Sequence, residues 1–239
     1  MTLFCDFDGP IVDVSSRYYD TYRIALARTR RQFVAQGRSL QLTPLGKAQF
    51  WRMKQARSPD VKIALRSGLS DGQAAVFLAQ VKQLVNHYPA LLRRDVPQPQ
   101  VPLALDLLRQ QDITLVLVTL RCEAQVHDFL QKHQMSSAFA AVYGTQNTEA
   151  AYQNYTDVKT SLLSRALEEQ GGSSVQWGLP HACWMVGDTE ADVVAAQRLG
   201  IPAIALTCGI RSSAYLKRLK PDAIQSNLLT LAQAARAIR

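Results

Sequence analysis

Short apolar runs that alternate with helical patterns fill the second half of the chain. Thr114–Thr119 is rich in β-branched and aliphatic residues, as in a strand covered on both faces, and similar runs occupy 140–143, 182–186 and 203–207. Such alternation is typical of a parallel sheet with helices on both faces. With Leu3–Phe7 as a further buried strand, the pattern predicts an α/β fold with a doubly wound parallel sheet, in a strand order like 3-2-1-4-5.

The segment between the first strand and this alternating region has a different pattern. Apolar residues from Tyr18 to Phe33 recur at helical spacing, and further helical segments follow with no clear strand between them. A proline-rich, extended stretch then leads into the alternating region. We therefore predict a smaller, all-helical domain of residues 14–96, inserted into an α/β core of residues 1–13 and 97–239.

Composition excludes several classes of protein. The apolar fraction is 47% and the charged fraction 19%, which is ordinary for a globular chain and too low in charge for disorder. No apolar run approaches the roughly 20 residues that cross a bilayer, and the first residues lead straight into a strand rather than a signal peptide. We expect a cytoplasmic protein with no membrane partner. The four cysteines are far apart, so we expect buried thiols rather than disulfides or a zinc site.

The basic charge of the chain belongs to the helical insertion. Residues 14–96 carry 15 Lys and Arg against 4 Asp and Glu, whereas the whole chain has a net charge of +8. A solvated helical surface is one interpretation, and a funnel for an anionic substrate is the other. The candidates for contact with such a substrate follow the first helix of the insertion: Lys47, Arg52, Lys54 and Arg57. No recognisable nucleic-acid-binding motif is present, which disfavours nucleic acid as the partner.

Polar residues lie where the predicted strands end. Asp6 and Asp8 come at the end of the first strand, Thr119 ends a second, and Asp188 follows Gly187 at the end of a third. Ligands of open parallel sheets bind at the carboxyl ends of the strands, so these residues are expected to share one crevice. A carboxylate pair or a lone lysine is a weak signal by itself, but the ordered set at successive strand ends is a specific one.

The two carboxylates of the first strand suggest phosphoryl transfer. Asp6 can attack phosphorus and form an aspartyl-phosphate, and Asp8 is placed to protonate the leaving oxygen and later to activate water. Carboxylates repel an anionic phosphate, and Mg²⁺ removes that problem because it binds carboxylate, water and phosphate oxygens. We therefore predict Mg²⁺ as the cofactor and a small phosphorylated anion as the substrate.

Further residues complete this hypothesis. Asp188 is the natural second carboxylate for the metal, and Asp192, four residues later, can support the metal's waters or hold Lys159. Thr119 offers a hydroxyl, and Lys159, which opens a helix, offers positive charge to the phosphoryl oxygens. Arg121 is a weaker candidate for substrate binding, with a surface ion pair as the alternative interpretation.

These motifs resemble those of the haloacid dehalogenase-like superfamily, in its phosphoglycolate phosphatase-like branch with a helical cap inserted after the first motif. The resemblance covers nearly the whole chain and includes the segment Cys208–Arg211. It implies a Rossmann-like core and Mg²⁺-dependent phosphatase activity. It also implies roles for matching residues: nucleophile Asp6, acid/base Asp8, phosphate binding by Thr119 and Lys159, and metal binding by Asp6, Asp188 and the backbone carbonyl of Asp8.

Some alternatives stay open at this stage. Asp8 favours phosphoryl transfer within this superfamily, because members that break carbon–halogen bonds have no acid at that position. A phosphomutase or a phosphonate-cleaving enzyme could share the same core. Outside enzymes, the basic insertion could bind a polyanion or nucleic acid on an inactive core, although intact Asp6, Asp8 and Asp188 argue against a dead site.

Overall fold

The computed structural model describes residues 1–146, 148, 150–170 and 183–237. Its strands are β1 Thr2–Cys5, β2 Val12–Asp13, β3 Val96–Pro97, β4 Thr114–Cys122, β5 Ala141–Thr145, β6 Cys183–Gly187, β7 Ala203–Leu206 and β8 Ala223–Gln225. Its helices are α1 Ser15–Ala35, α2 Lys47–Gln55, α3 Asp60–Arg66, α4 Asp71–Val85, α5 Pro89–Leu92, α6 Val101–Gln110, α7 Glu123–Lys132, α8 Ala150–Gln153, α9 Thr156–Gln170, α10 Glu190–Arg198, α11 Ser213–Lys217 and α12 Leu228–Ala237, with a 3₁₀ turn at Ser136–Ala138. The glycine pair expected to close α9, at 171 and 172, and the expected strand start at 182 lie outside the described residues.

Six parallel strands form the main sheet in the order β5-β4-β1-β6-β7-β8. β1 lies at the centre, with Phe4 opposite Val116 of β4 on one side and Met185 of β6 on the other. The predicted fold class is confirmed: the sheet is parallel and doubly wound, and β8 extends the expected strand order by one. Because β4 and β6 are the two neighbours of β1 and run parallel to it, the carboxyl ends of these three strands lie side by side.

Both faces of this sheet are buried. Phe4, Val116 and Met185 join one apolar cluster with Leu163 of α9 and Ala195 of α10. Side chains alternate between the faces of a strand, so the neighbouring positions point the other way. Those positions are equally buried, as in Leu3, Leu115 and Leu117. The continuous apolar character of β1 and β4 is therefore explained by helices on both faces.

The chain divides into two compact units, residues 1–13 with 97–239 and residues 14–96. The second of these, called the helical unit below, consists of α1 to α5. Within it, the ring of Tyr22 stacks on that of Phe50 with centroids 4.9 Å apart. Arg17 of α1 is fully buried and forms a 2.9 Å ion pair with Asp95. Part of the basic charge of this unit therefore has an internal structural partner.

Some local expectations differ from the structure. Pro89, expected in an extended connection, begins the short helix α5, because the first turn of a helix does not need the missing N–H. β4 runs past Thr119 to Cys122, and its pairing with β5 shifts register between Val118 and Cys122. In the part of the chain that the structure describes, no helix is both long and apolar enough to cross a membrane.

Candidate active site

A tight loop follows β1 and carries two of the candidate carboxylates. The N–H of Asp6 donates to the carbonyl of Val186 at 2.8 Å, which extends the contact between β1 and β6. The N–H of Gly9 then donates to the carbonyl of Val12 at 2.9 Å, and the φ of Gly9 is 106°. A Cβ at this glycine would lie 2.3 Å from the carboxyl carbon of Asp188. The loop therefore needs glycine both for its backbone conformation and for the close approach of Asp188.

Lys159 lies between two carboxylates. Its Nζ is 2.8 Å from Oδ1 of Asp6 and 2.7 Å from Oδ1 of Asp192, and its side chain is only 1% exposed. The lysine occupies the first turn of α9, whose packing against α10 and β4 accounts for its burial. The structure therefore brings the lysine, the expected nucleophile and the expected supporting carboxylate together.

Asp192 is held in place by the start of its own helix. Its Oδ2 accepts hydrogen bonds from the N–H of Thr189 at 3.0 Å and from the hydroxyl of Thr189 at 2.8 Å, in a capping-box arrangement. The other oxygen faces Lys159. The helix cap therefore fixes the orientation in which Asp192 holds the lysine.

Asp188 leaves one oxygen available. Its Oδ2 accepts the backbone N–H of Ile210, whereas its Oδ1 is buried with no hydrogen-bond partner among the described residues. A Cβ at Gly209 would lie 2.0 Å from Oδ2, so glycine is required there as well. Oxygen atoms of Asp6, Asp188 and Asp192 lie within 4.8 Å of one another. A buried, unpartnered carboxylate oxygen in such a group fits a metal ligand.

Among the residues that the structure describes, the side chains of this cluster do not balance one another's charge. Three buried carboxylates share one ammonium, which leaves a formal charge of −2. Burial and the repulsion of Asp192 raise the pKa of Asp6, and the attraction of Lys159 lowers it. The net result is a pKa of about 7. Burial and repulsion from Asp6 and Asp192 raise the pKa of Asp188 well above its usual range. A divalent cation with oxygen ligands would neutralise the site, and the donor set suits a hard cation.

Lys159 itself stays protonated in this environment. Burial alone would lower its pKa, but the charges of Asp192 and Asp6 outweigh burial and raise it above the ordinary value. The raised pKa values of Asp6 and Lys159 are consistent, because two carboxylates stabilise the ammonium, whereas this single ammonium offsets only part of the burial and repulsion that act on Asp6. The lysine is thus a permanent positive charge at the end of β1.

Thr119 and Arg121 lie where β4 changes register. The hydroxyl oxygen of Thr119 accepts the N–H of Arg121 at 3.1 Å, which leaves the hydroxyl hydrogen free to be donated elsewhere. The guanidinium of Arg121 donates from Nη1 to Oδ1 of Asp8 at 2.8 Å and from Nε to Gln125 at 3.2 Å. The side chain of Arg121 is 3% exposed. The interpretation of Arg121 as a surface ion pair is therefore wrong: the pair exists, but it is buried in the site and its partner is Asp8.

The four basic candidates of the insertion lie in the helical unit, on α2 and the turn after it. Lys47 donates to the hydroxyl of Ser16 at 2.9 Å, and Lys54 forms a 2.9 Å ion pair with Asp60. Arg52 and Arg57 are exposed, and Arg57 has a left-handed backbone with a φ of 60°. Contact of these four residues with a substrate stays a prediction.

Sequence reasoning missed an ion pair next to the metal candidate. Arg211 contacts Glu190 with two hydrogen bonds, and Ile210, the preceding residue, donates its N–H to Asp188. The segment from 208 to 211 was recognised only as part of the resemblance. The glycine after β7 was the available signal, because a glycine at the carboxyl end of a strand often marks a close approach of backbone to a site.

The geometry defines a class of enzyme. Carboxylates and a lysine lie together at the carboxyl ends of parallel strands, and their excess of negative charge suits a divalent cation. A family model described as haloacid dehalogenase-like hydrolase matches residues 1–200. The chain belongs to this family. The predicted family and enzyme class are therefore confirmed.

Curated relatives place the chain in the expected branch. A phosphoglycolate phosphatase of Synechococcus elongatus is 28% identical over 219 residues, covering 91% of this chain and 88% of that protein. A phosphoglycolate phosphatase of Aliivibrio fischeri is 30% identical over 126 residues, covering 53% of this chain and 51% of that protein. The resemblance to the phosphoglycolate phosphatase-like branch is thus confirmed by full-length and partial matches alike.

Solved structures share the fold over nearly the whole chain. A haloacid dehalogenase-like family hydrolase from Streptococcus pneumoniae superposes with a TM-score of 0.63 at 19% identity, covering 100% of this chain and 98% of that one. A structure described as "a predicted phosphoglycolate phosphatase" from Haemophilus somnus gives a TM-score of 0.65 at 17% identity, covering 98% and 97%. At these identities the similarity establishes the fold.

Proposed function

We propose that this protein is a Mg²⁺-dependent phosphatase that hydrolyses a small phosphate monoester through an aspartyl-phosphate on Asp6. The observation that carries the proposal is the buried cluster of Asp6, Asp188, Asp192 and Lys159 at the carboxyl ends of β1 and β6, with its formal charge of −2. The phosphatase names of the relatives support the same reaction.

The proposed reaction has two displacements at phosphorus. A carboxylate oxygen of Asp6 attacks the phosphorus, the bond from phosphorus to the ester oxygen breaks, and Asp8 gives its proton to that oxygen. Water then attacks the phosphorus of the aspartyl-phosphate and Asp8 takes one of its protons, so that inorganic phosphate leaves and Asp6 is restored. The balance is one ester and one water consumed, and one alcohol and one phosphate formed.

The other side chains stabilise charge in these steps. Lys159, held by Asp6 and Asp192, offers a fixed positive charge, and Thr119 offers the hydroxyl hydrogen that its contact with Arg121 leaves free. Asp6, Asp188 and the backbone carbonyl of Asp8 would hold the cation. Asp192 would act indirectly, by holding Lys159 in place. When bound, Mg²⁺ supplies charge neutralisation and polarises the phosphoryl oxygens.

The helical unit is proposed to act as a cap. Exclusion of bulk water protects an aspartyl-phosphate from uncontrolled reactions and strengthens the electrostatic contacts around it. The surplus of basic residues in 14–96 would attract an anionic substrate. Lys47, Arg52, Lys54 and Arg57 are the proposed contacts, of which Lys54 is already partly neutralised by Asp60.

The direct test is phosphate release from a panel of phosphorylated sugars, nucleotides and small acids, with Mg²⁺ and with EDTA. Release that requires Mg²⁺ is the expected result, and the ranking of substrates would define specificity. No release from any substrate would contradict the proposal. Salt-dependent binding of a polyanion without turnover would instead favour the non-enzymatic alternative.

Replacement of Asp188 by asparagine should affect metal binding and stability in opposite directions. The amide keeps the shape but removes one of the repelling charges, so the metal-free protein should gain about 1 kcal/mol or more in its free energy of unfolding. The rise in melting temperature that Mg²⁺ causes in the wild type should largely disappear. Thermal unfolding in EDTA and in Mg²⁺ measures both, with Asp106→Asn, an exposed aspartate of α6, as the control. An unchanged Mg²⁺ response would contradict the metal assignment.

Replacement of Arg121 by methionine should reduce turnover of substrates that carry a second anionic group. Loss of the contact with Asp8 should lower kcat/KM for every substrate. A further lost charge-assisted hydrogen bond costs about 1.5–3 kcal/mol, so the fall should be about 10- to 100-fold larger for a carboxylate-bearing monoester than for its uncharged analogue. Arg165→Met, which changes an exposed arginine of α9, is the control. An equal loss on both substrates would show that Arg121 acts only through its ion pair with Asp8.

A further inference from the structure

A bidentate ion pair joins the two segments that hold Asp188. Nε of Arg211 lies 2.7 Å from Oε2 of Glu190, and Nη2 lies 3.1 Å from Oε1. The side chains are 6% and 15% exposed. Two parallel hydrogen bonds between a guanidinium and a carboxylate fix both the distance and the relative orientation of the groups. The pair is therefore a rigid link rather than a loose surface contact.

The positions of the two partners give this link its significance. Glu190 is the first residue of α10 and comes two residues after Asp188. Arg211 directly follows Ile210, whose backbone N–H donates to Oδ2 of Asp188. The link thus ties the segment that carries the carboxylate to the segment that donates its hydrogen bond.

The geometry leaves little freedom to the carboxylate of Asp188. Gly9 and Gly209 approach it so closely that a Cβ at either position would lie within 2.3 Å of a carboxyl atom. Oδ2 is taken by Ile210, and Oδ1 is buried with no partner among the residues described. If the segment around Ile210 moved, Oδ2 would lose its donor and Oδ1 would lose its fixed direction.

We propose that Arg211 and Glu190 are positioning residues for the metal site. Their ion pair keeps the N–H of Ile210 against Asp188 and so presents the other carboxylate oxygen to a divalent cation. The proposal rests on the proposed function, because it concerns the same metal site. It assigns neither residue any contact with substrate or metal.

An electrostatic role and a positioning role of Arg211 predict opposite effects of its removal on Mg²⁺ affinity. Loss of a positive charge near a cation site should by itself strengthen Mg²⁺ binding, and the arginine is close enough to Asp188 to favour its ionised form. Loss of a positioning link should weaken Mg²⁺ binding, since outer partners of metal ligands typically contribute about 10- to 100-fold in affinity. The sign of the effect therefore separates the two roles.

The experiment is Mg²⁺ titration of the whole protein by calorimetry, in wild type, Arg211→Met, Glu190→Gln and the double variant. We expect each single variant to bind Mg²⁺ about 10- to 100-fold more weakly, and the double variant to be little worse than either, because one link is lost in all three. Arg211→Lys keeps the charge without the fork, and we expect it to fold and to bind weakly as well. Arg198→Met, an exposed arginine at the end of α10, serves as the control.

Several results would overturn this proposal. Tighter Mg²⁺ binding in Arg211→Met would show a purely electrostatic role, and wild-type affinity in Arg211→Lys would show that charge suffices without the fork. Additive losses in the double variant would show two independent contributions. Absence of Mg²⁺ binding by the wild type would end the positioning role and the metal assignment together. Because the measurement is binding, a wild type that binds Mg²⁺ but releases no phosphate would contradict only the proposed function.

Discussion

Replacing Asp6 with asparagine is expected to reduce phosphate release by at least about 10⁴-fold, since loss of a nucleophile removes the covalent route altogether. The amide has nearly the same shape but is a poor nucleophile. The protein should still fold, because the substitution removes one charge from a buried group that repels itself, and Lys159 keeps its contact with Asp192. Steady-state turnover with saturating Mg²⁺ measures the effect, and thermal unfolding establishes the folded state.

The control for this change is Asp157→Asn, which alters an exposed aspartate of α9 that pairs with Arg198. It should leave turnover within a few-fold of wild type, as substitutions on the surface usually do. Asp6→Ala should behave like Asp6→Asn. Retained turnover in both Asp6 variants would mean that another group attacks the phosphorus, and the assignment of the nucleophile would be wrong.

Replacing Lys159 with methionine is expected to impair both stability and activity. Methionine fills much of the same space but leaves Asp6 and Asp192 without their shared partner, and breaking a buried ion pair costs about 3–5 kcal/mol. Turnover should fall as well, because a fixed charge near the phosphoryl oxygens is lost. Urea unfolding and kcat/KM give the two effects separately.

The stability loss in Lys159→Met should depend on pH with a definite sign. The pKa of Asp6 is raised in the folded protein to about 7 from its ordinary value of 3.8, and loss of the lysine should raise it further. Between these values the folded variant holds a proton that the unfolded chain has released, so its stability should rise as pH falls from about 7 towards about 4. The wild type gains stability over this range too, because its Asp6 also holds a proton there. The difference in unfolding free energy between the two proteins should therefore stay nearly constant below about pH 7 and widen as the pH rises above it. A difference that does not widen above about pH 7 would contradict the proposed charge imbalance.

Lys132→Met provides the matched control, because this lysine lies at the exposed end of α7. Its substitution should change neither stability nor turnover appreciably. If Lys132→Met abolished turnover and Lys159→Met did not, the assignment of the lysine would have to be reversed.

The sequence predicted the sheet because its strands differ in period and composition from the helices between them. Leu3–Phe7 and Leu115–Thr119 are buried on both faces, and such strands have continuous apolar runs. Short helices such as Pro89–Leu92 and Ser213–Lys217 could not be predicted in the same way, because they barely complete one turn and show no periodicity.

The candidate site was predictable where its members follow strands and less so where they depend on tertiary contacts. Lys159 could be inferred from order along the chain, and the structure brings it to Asp6. The pair of Arg121 with Asp8 depends on the register shift in β4, which no local pattern indicates. The link between Arg211 and Glu190 joins residues whose proximity follows only from the packing of β7 against β6.

The charge of the helical unit could be predicted from the sequence only in part. Composition gave its sign and size, but it could not show which charges have internal partners. Arg17 is buried against Asp95, and Lys54 pairs with Asp60, so these two cations are compensated within the unit. Both aspartates are already included in the balance of 15 basic against 4 acidic residues, so the surplus that could attract an anionic substrate is carried by the other basic residues of 14–96.

The most direct test of the account is detection of the phosphorylated enzyme during turnover. Wild-type protein would be mixed with its best substrate and Mg²⁺, quenched rapidly in acid, digested and analysed by mass spectrometry. We predict one added phosphoryl group on the peptide that contains Asp6, absent without Mg²⁺ and absent in Asp6→Asn. Phosphate release with no phosphoryl group on Asp6, or with the group on another residue, would contradict the central claim.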